Sequence, residues 1–266
     1  RLSVLKTLPP LPKKSLGQCF LTERRYAQEI VAALGIRAGD TVVEIGPGRG
    51  VLTRSLLAAA GHLDAVEIDR DLAAQLAKDF PPGSGLDLHV GDALTFDFAA
   101  LAALRGARLR IVGNLPYNIS TPLLFHLLET PAAHLDLHVM LQREVIERMA
   151  AAPGSKEYGR LTVMLAPWTR VEKLFDVGPG AFQPPPKVWS SVARLTLRAT
   201  PAFDVPANFA GLVASAFSQR RKTLRNALKT LLSAAEIQAV GVDPGARAEV
   251  IPPAGFAALA RAAAQR

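Results

Sequence analysis

The chain's shortages set the first limits on what it can be. One cysteine in 266 residues, Cys19, excludes an intramolecular disulfide and suits a reducing cytoplasm. No stretch approaches the roughly 18 uninterrupted apolar residues that a membrane-spanning helix needs. A soluble protein without a membrane partner is therefore expected. The five histidines, His62, His89, His126, His134 and His138, show no ligand spacing such as H-E-x-x-H, so no metal is expected. Internal repeats and low-complexity tracts are also missing. Acidic residues are the minority, 23 against 31 Lys and Arg, for a formal charge of +8. With a pI near 10.0, the imbalance points to a polyanionic partner. The basic residues gather at Lys13-Lys14, between Arg105 and Arg110, and in Arg220-Arg221-Lys222 with Arg225 and Lys229.

A hydrophobic content of 49% is enough for one large core and a second small one. Strand-like runs near 41–45, 63–68, 86–90, 108–113, 136–142, 171–177 and 188–197 alternate with helical stretches over the first part. That alternation predicts a parallel-dominated α/β sheet. Around Arg198-Ala-Thr-Pro-Ala-Phe-Asp-Val-Pro206 two prolines interrupt the chain, and only helical periodicity and loops follow. Two domains are expected, residues 1–200 carrying the sheet and 201–266 forming a small all-α unit. In the latter, Phe217, Leu224, Leu228 and Leu231 recur at helical spacing as a core stripe. Arg221, Arg225 and Lys229 recur every four residues beside it, and no acid between Arg220 and Lys229 neutralises them as i,i+4 pairs. Phosphate contact by Arg220, Arg221, Lys222, Arg225 and Lys229 is the expected use.

The most specific segment is Asn114-Leu115-Pro116-Tyr117. It follows Arg108-Leu-Arg-Ile-Val-Gly113, a short, partly β-branched run closed by Gly, which reads as a strand delivering the motif to the carboxyl edge of the sheet. An exocyclic amine on adenine is a poor nucleophile, because its lone pair is delocalised into the ring and no side chain deprotonates it at neutral pH. A site must favour the pyramidal amine instead. The Asn114 amide oxygen and the Leu115 carbonyl are able to accept the two amine hydrogens, with Tyr117 stacked on the base and Pro116 shaping the turn.

Upstream, Thr41-Val-Val-Glu-Ile-Gly-Pro-Gly-Arg-Gly-Val-Leu-Thr53 is an apolar strand entering a glycine-rich turn and a helix. Gly46, Gly48 and Gly50 are spaced G-x-G-x-G rather than the G-x-G-x-x-G of dinucleotide folds, and the acid Glu44 precedes the turn. That favours S-adenosylmethionine, a cation without phosphate, over NAD. Glu67 closes the next run about 20 residues on, where a carboxylate accepts both ribose hydroxyls. Asp92 follows a third run and is placed to bond the cofactor's adenine amine.

In these motifs the chain resembles the ribosomal RNA adenine dimethyltransferase family, specifically the branch that dimethylates two adjacent adenines near the 3′ end of small-subunit (16S-type) rRNA. The likeness runs from about Lys13 to about Glu249. It is carried by Lys14-Ser-Leu-Gly-Gln-Cys-Phe-Leu21, Glu44-Ile-Gly-Pro-Gly48, Gly113-Asn-Leu-Pro-Tyr-Asn-Ile-Ser-Thr-Pro122, Met140-Leu-Gln-Arg-Glu-Val145, Ser155-Lys-Glu-Tyr-Gly-Arg-Leu161, Phe182-Gln-Pro-Pro-Pro-Lys-Val188 and Ala216-Phe-Ser-Gln-Arg-Arg-Lys-Thr-Leu224. The resemblance implies a class I S-adenosylmethionine-dependent methyltransferase, Rossmann-like, with a seven-stranded sheet and a small C-terminal all-α domain. It implies that Gln18, Leu21, Gly46, Gly48, Glu67, Asp92 and Asn114 line the cofactor site, with S-adenosylhomocysteine as product. It also implies that Phe182 approaches the target base opposite Tyr117.

One residue departs from the family pattern: Cys19 stands where the family has Asn. A side-chain contact to the cofactor lost there would cost on the order of 1 kcal/mol, whereas a backbone contact would survive. Cys19 precedes the first strand and lacks the Pro-Cys loop of a covalent cytosine methyltransferase, so a small, partly buried thiol is expected. The expected partner is small-subunit rRNA or a pre-small ribosomal subunit, bound by a monomer. The expected location is the bacterial cytoplasm, or an organelle if a transit peptide precedes the chain. Two rivals remain: a large-subunit rRNA methyltransferase conferring macrolide resistance, and a non-catalytic assembly or transcription factor on the same fold.

Overall fold

A computed structural model describes residues 12–13, 17–219 and 221–265. The chain divides into two compact units. One comprises residues 1–143 with 174–195, the other 144–173 with 196–266.

The first unit is built on strands β1 (Phe20–Leu21), β2 (Thr41–Ile45), β3 (Leu63–Glu67), β4 (Leu86–Val90), β5 (Leu109–Asn114) and β6 (His134–Gln142). Three further strands follow, β7 (Thr169–Val177), β8 (Phe182–Gln183) and β9 (Ser190–Leu197). Seven of the nine form one sheet in the order β4-β3-β2-β5-β6-β9-β7, and β1 pairs antiparallel with β8. The expected seven-stranded α/β sheet is present, with each of the seven expected strands matched within two residues. β2 runs parallel to both β3 and β5, and β3 to β4. β3 is buried along its whole length and β2 over its last four residues, which is why both read as near-continuous apolar runs. Edge strand β4 is only half-buried.

Helices cover the sheet: α1 (Arg24–Leu34), α2 (Val51–Ala60), α3 (Arg70–Asp79), α4 (Phe98–Arg105) and α5 (Ser120–Glu129). In α1 the buried residues are Ala27, Ile30 and Leu34, the spacing of one helical face. Asp69 caps α3 by accepting from Asp71 N. Because the chain winds from β2 outward through β3 to β4 and then returns to β5 on the other side, the strand order reverses at β2. That reversal leaves a crevice beyond the carboxyl ends of these strands.

The basic run from Arg105 to Arg110, expected to face a polyanion, is instead consumed internally. Arg105 pairs with Asp64 and Asp87. Arg110 is 7% exposed and bonds both carboxylate oxygens of Asp136, with Nε–Oδ1 at 3.0 Å and Nη2–Oδ2 at 2.6 Å. It also reaches Asp40 at 2.7 Å and the Leu34 carbonyl at 2.6 Å. A buried guanidinium is tolerable only with such full pairing. Arg110 therefore ties β5 to β6 and to the end of α1.

The second unit holds α6 (Arg143–Met149), which starts at the last residue of the first, then α7 (Arg160–Leu165), α8 (Phe209–Phe217), α9 (Leu224–Ala227), α10 (Ala234–Ala239) and α11 (Pro253–Ala264). Its core gathers Tyr158 and Val163 with Phe209, Leu212, Leu224, Leu228, Ile237 and Phe256. This explains the non-consecutive unit: α7 buries its apolar face among the C-terminal helices, and the Tyr158 hydroxyl donates to the Ile251 carbonyl at 2.7 Å. Leu224 and Leu228 are fully buried, with Phe217 and Leu231 packed against them. The single helix expected under the basic stripe is corrected. α8 ends at Phe217 and α9 is one turn long. Between them Thr223 bridges to Arg247, while Leu224 N and Arg225 N bond the carbonyls of Ala246 and Pro244. These long-range backbone bonds replace the helical ones.

Two histidines of the first unit, His134 and His138, are 0% and 1% exposed. Burial lowers each to a pKa of about 4, helped at His134 by nearby Arg108 and opposed at His138 by Asp136. The folded state thus binds fewer protons than the unfolded one between pH 4 and 6.5. Stability from these sites is complete above pH 6.5 and is lost as pH falls towards 4, by at most roughly 3 kcal/mol each. Urea unfolding at pH 7 and pH 4.5 should show a smaller pH-induced loss in His134→Leu than in the parent, by roughly 2 kcal/mol. Equal losses in the two proteins would remove His134 from the acid sensitivity.

Candidate active site

The crevice beyond β2, β3, β4 and β5 is lined by Gly17–Phe20, Ile45, Gly46, Gly48, Val66–Ile68, Leu72, Gly91–Leu94 and Asn114–Ile119. Six expected residues, Gln18, Gly46, Gly48, Glu67, Asp92 and Asn114, meet there, together with Leu115, Pro116 and Tyr117. Leu21 is 7% exposed and lines a smaller recess alongside, with Glu44, Gly46, Arg49 and Asn114.

Two glycines set the approach of the walls. At Gly113 a Cβ would stand 2.5 Å from the Ile45 carbonyl oxygen, so only glycine lets β5 close onto the end of β2. Gly48 has φ +56°, and a Cβ there would meet the Phe20 ring at 3.0 Å. Its N–H donates to Glu67 Oε2 at 3.1 Å, joining the glycine turn to the end of β3.

Glu67 is 3% exposed, and its other oxygen accepts from Asp69 N at 2.9 Å. Burial pushes this carboxyl above its ordinary range, although the two N–H donors pull the other way. Glu44, at 2% exposure, is pushed up to about 8 by burial, against the Thr53 hydroxyl that donates to it at 2.7 Å and with Glu67's charge adding to the rise. Near neutral pH it is chiefly the uncharged acid, so the buried pair does not carry two full charges. Asp92 Oδ1 accepts from Leu94 N at 2.9 Å, which sets the carboxylate on the crevice rim.

Asn114 Nδ2 donates to the Cys19 carbonyl at 2.9 Å, which leaves Oδ1 as the side chain's acceptor. The bond also answers part of the question about Cys19. The interaction that position makes with the motif is through its backbone, and the thiol is raised by burial. Leu115 is buried at 1% exposure, with its N–H on the Met140 carbonyl at 3.2 Å, anchoring the motif to β6. The Tyr117 hydroxyl lies 2.8 Å from Ser190 Oγ, and burial raises its pKa. Phe182 behaves differently from its neighbours in the motif set. It is 4% exposed, sits in β8 against Leu21, and packs in the cluster with Ala27, Met140 and Val192, so it lines no part of the crevice.

Asp69, Asp71 and Ile68 contribute without having been marked as site residues by sequence. Lys13 Nζ bonds Asp69 and Asp71 at 2.7 Å each, while Gln18 Nε2 bonds Asp69 at 3.0 Å and its Oε1 accepts from Lys13 N. Burial opposes charge on Asp69, but these donors outweigh it and hold the carboxyl below its usual range. Lys13 is thus paired rather than free for a polyanion. Ile68 is 48% exposed on the crevice wall with Ala93 and Leu94 nearby, forming apolar surface for a flat ring. The available signal was its place, an apolar residue between a strand-ending acid and a helix cap, where no core requires it.

The donor set fits S-adenosylmethionine. Gly48 N–H is already given to Glu67 and Gly50 N–H to the Pro47 carbonyl. A pyrophosphate at the start of α2 would meet occupied amides and a carboxylate, whereas a cationic ligand with ribose hydroxyls finds acceptors. Among the described residues no three His, Cys, Asp or Glu side chains converge as a metal site. No helix among them is long and apolar enough to cross a membrane.

Arg221, Lys222, Arg225 and Lys229 are exposed in the second unit, and among the described residues the ion pairs found involve none of the four. Arg220, expected beside them, lies outside the described residues, as does Lys14.

Comparison with known proteins agrees with this geometry. The chain is 53% identical over 251 residues to ribosomal RNA small subunit methyltransferase A of Thiobacillus denitrificans, covering 93% of this chain and 96% of the relative. It is 50% identical to the protein of the same name from Pseudomonas aeruginosa, over 95% of each. The crystal structure of a dimethyladenosine transferase from Plasmodium falciparum matches with a TM-score of 0.78 at 25% identity, covering 90% of this chain and 95% of that one. The 23S rRNA methyltransferase ErmE matches with a TM-score of 0.70 at 26% identity, over 92% and 100%. The family model for ribosomal RNA adenine dimethylase matches residues 11–265. With relatives half identical along nearly its whole length and the carboxylate-lined crevice that such a cofactor requires, this chain belongs to the ribosomal RNA adenine dimethylase family, whose members are S-adenosylmethionine-dependent methyltransferases.

Proposed function

We propose that this protein dimethylates the exocyclic amines of two adjacent adenines near the 3′ end of small-subunit rRNA, in a pre-small ribosomal subunit, and so takes part in small-subunit biogenesis. The observation that carries the reading is end-to-end identity of 50–53% with proteins named for small-subunit methylation, against 26% with the 23S enzyme ErmE.

When bound, S-adenosylmethionine supplies a methyl group on a positively charged sulfur. Glu67 would hold the ribose hydroxyls, Asp92 the adenine amine, Gln18 and the Gly46–Gly48 turn the remaining length, and Ile68 one face of the ring. Asn114 Oδ1 and the Leu115 carbonyl would accept the target amine's two hydrogens, so its lone pair points along the line of transfer; as the N–C bond forms the C–S bond would break with its electron pair left on sulfur, and the alkylated, cationic nitrogen would release one of its two hydrogens to solvent as a proton. Tyr117, held by Ser190, stacks on the base. Phe182 supplies the opposing face only if its ring leaves the core cluster on RNA binding. Arg221, Lys222, Arg225 and Lys229, with Arg220, grip RNA phosphates.

The decisive experiment is transfer of labelled methyl groups to under-methylated small and large ribosomal subunits separately, with nucleoside analysis. Dimethyladenosine confined to the small subunit, approaching two methyls on each of two adenines, is the expected result. Label only in the large subunit would select the resistance-type activity, and none in either would leave a non-catalytic factor. Asn114→Ala should lower kcat by about a hundredfold or more while RNA affinity is retained; turnover within a few-fold of the parent would sink the proposed role of the amide. Arg221→Glu with Arg225→Glu should weaken RNA binding and flatten the slope of log affinity against log salt by about 1.5 to 2. An unchanged slope would return that surface to mere solvation.

A further inference from the structure

Trp189 is the most exposed of the Phe, Tyr and Trp side chains among the described residues, with 49% of its surface in solvent. Its place is not that of a stray surface hydrophobe. It is the residue before Ser190, whose Oγ lies 2.8 Å from the Tyr117 hydroxyl, so the two Cα atoms at 189 and 190 stand about 3.8 Å apart at the edge of the base-binding motif.

The indole is held from several sides. The Trp189 backbone carbonyl accepts from Arg143 N at 2.9 Å, and the Arg143 guanidinium stands 5.9 Å from the ring centroid. Beneath it Gly178 presents bare backbone, where a Cβ would touch three ring carbons at 3.6 to 3.9 Å. Before it run Pro184-Pro185-Pro186, whose rings restrict the backbone, and then exposed Lys187 and Val188. A flat ring packed on bare backbone, with half its surface in water and the Arg143 guanidinium beside it, is the combination that holds an unpaired base: stacking on the ring, phosphate near the cation. A core role would bury the ring, and a peptide-binding role would need an apolar groove around it rather than the Arg143 guanidinium.

We infer that Trp189 is a stacking platform for the nucleotide adjoining the target adenine, so that while one base is held at Asn114 and Tyr117 its neighbour is held on the indole. The inference rests on the proposed RNA methylation. It also supplies what a reaction at two adjacent adenines needs, a place for the second base while the first reacts.

Steady-state transfer to under-methylated small subunits tests it with three variants. Trp189→Ala should raise KM about tenfold, the equivalent of about 1.4 kcal/mol, with kcat within twofold. Trp189→Phe should recover most of that loss, and Trp189→Leu, apolar but not planar, should not. In a Trp168→Phe background, which leaves Trp189 as the only tryptophan, titration with hexaadenylate should quench the fluorescence. An unchanged KM in Trp189→Ala, full recovery by Leu, or a raised KM without quenching would each overturn the platform, the last by assigning the ring to a protein contact. The parent enzyme keeps the two claims separate. Normal transfer with an indifferent Trp189 refutes only the platform, whereas no transfer to the small subunit by the parent overturns both.

Discussion

The approach of β5 to β2 is the constraint on which the site depends. A Cβ at Gly113 would stand 2.5 Å from the Ile45 oxygen, too close for any side chain. With glycine there, the two strands stay paired through Glu44 and Val112, and the turn after Ile45 and the motif after Gly113 open into the same crevice. Every other arrangement follows: Gly46 faces the Asn114 backbone, Asn114 reaches back to the Cys19 carbonyl, and Leu115 hangs on β6. The donor and acceptor ends of a methyl transfer are neighbours because two parallel strands are neighbours.

Electrostatics then decide what the crevice accepts. Glu44, Glu67 and Asp69 are each no more than 3% exposed, and the protein treats each differently. Glu44 keeps its proton near neutral pH, Glu67 is stabilised by backbone N–H groups, and Asp69 is held ionised by Lys13 and Gln18. Burying three full charges together would be prohibitive; graded protonation and pairing make it tolerable. The outcome is a pocket of acceptors whose helix-start amides are partly spent, which disfavours phosphate and suits a cation.

Net charge is a poor map of where a polyanion is gripped. Of the three basic clusters visible in the chain, the one at 105–110 neutralises buried and rim carboxylates, and Lys13 fastens the segment beside the crevice. Around 221–229, by contrast, Arg221, Lys222, Arg225 and Lys229 are exposed and take part in none of the ion pairs found among the described residues. The +8 surplus is real, but much of the positive charge is structural, because a guanidinium with several donors is an efficient tie between strands and helix ends.

The sequence by itself determined the local grammar. Apolar runs of strand length alternating with helices dictated the sheet, and the Gly46–Gly50 spacing, Glu67 and Asn114–Tyr117 marked successive strand ends, because backbone needs such as glycine's tolerance of φ +56° at Gly48 are readable residue by residue. What only tertiary structure decided were matters of partnership. Arg110 is indistinguishable from a surface arginine until Asp136 and Asp40 arrive from 26 and 70 residues away. The stretch 221–229 has helical spacing, yet its amides bond Ala246 and Pro244, and long-range hydrogen bonds outweigh a marginal local propensity. Phe182 carries a family signature but packs against Leu21, since β1 pairs with β8 across more than 150 residues of chain. Periodicity and motif report what each residue offers its immediate neighbours, while burial and pairing depend on which distant segment folds against it.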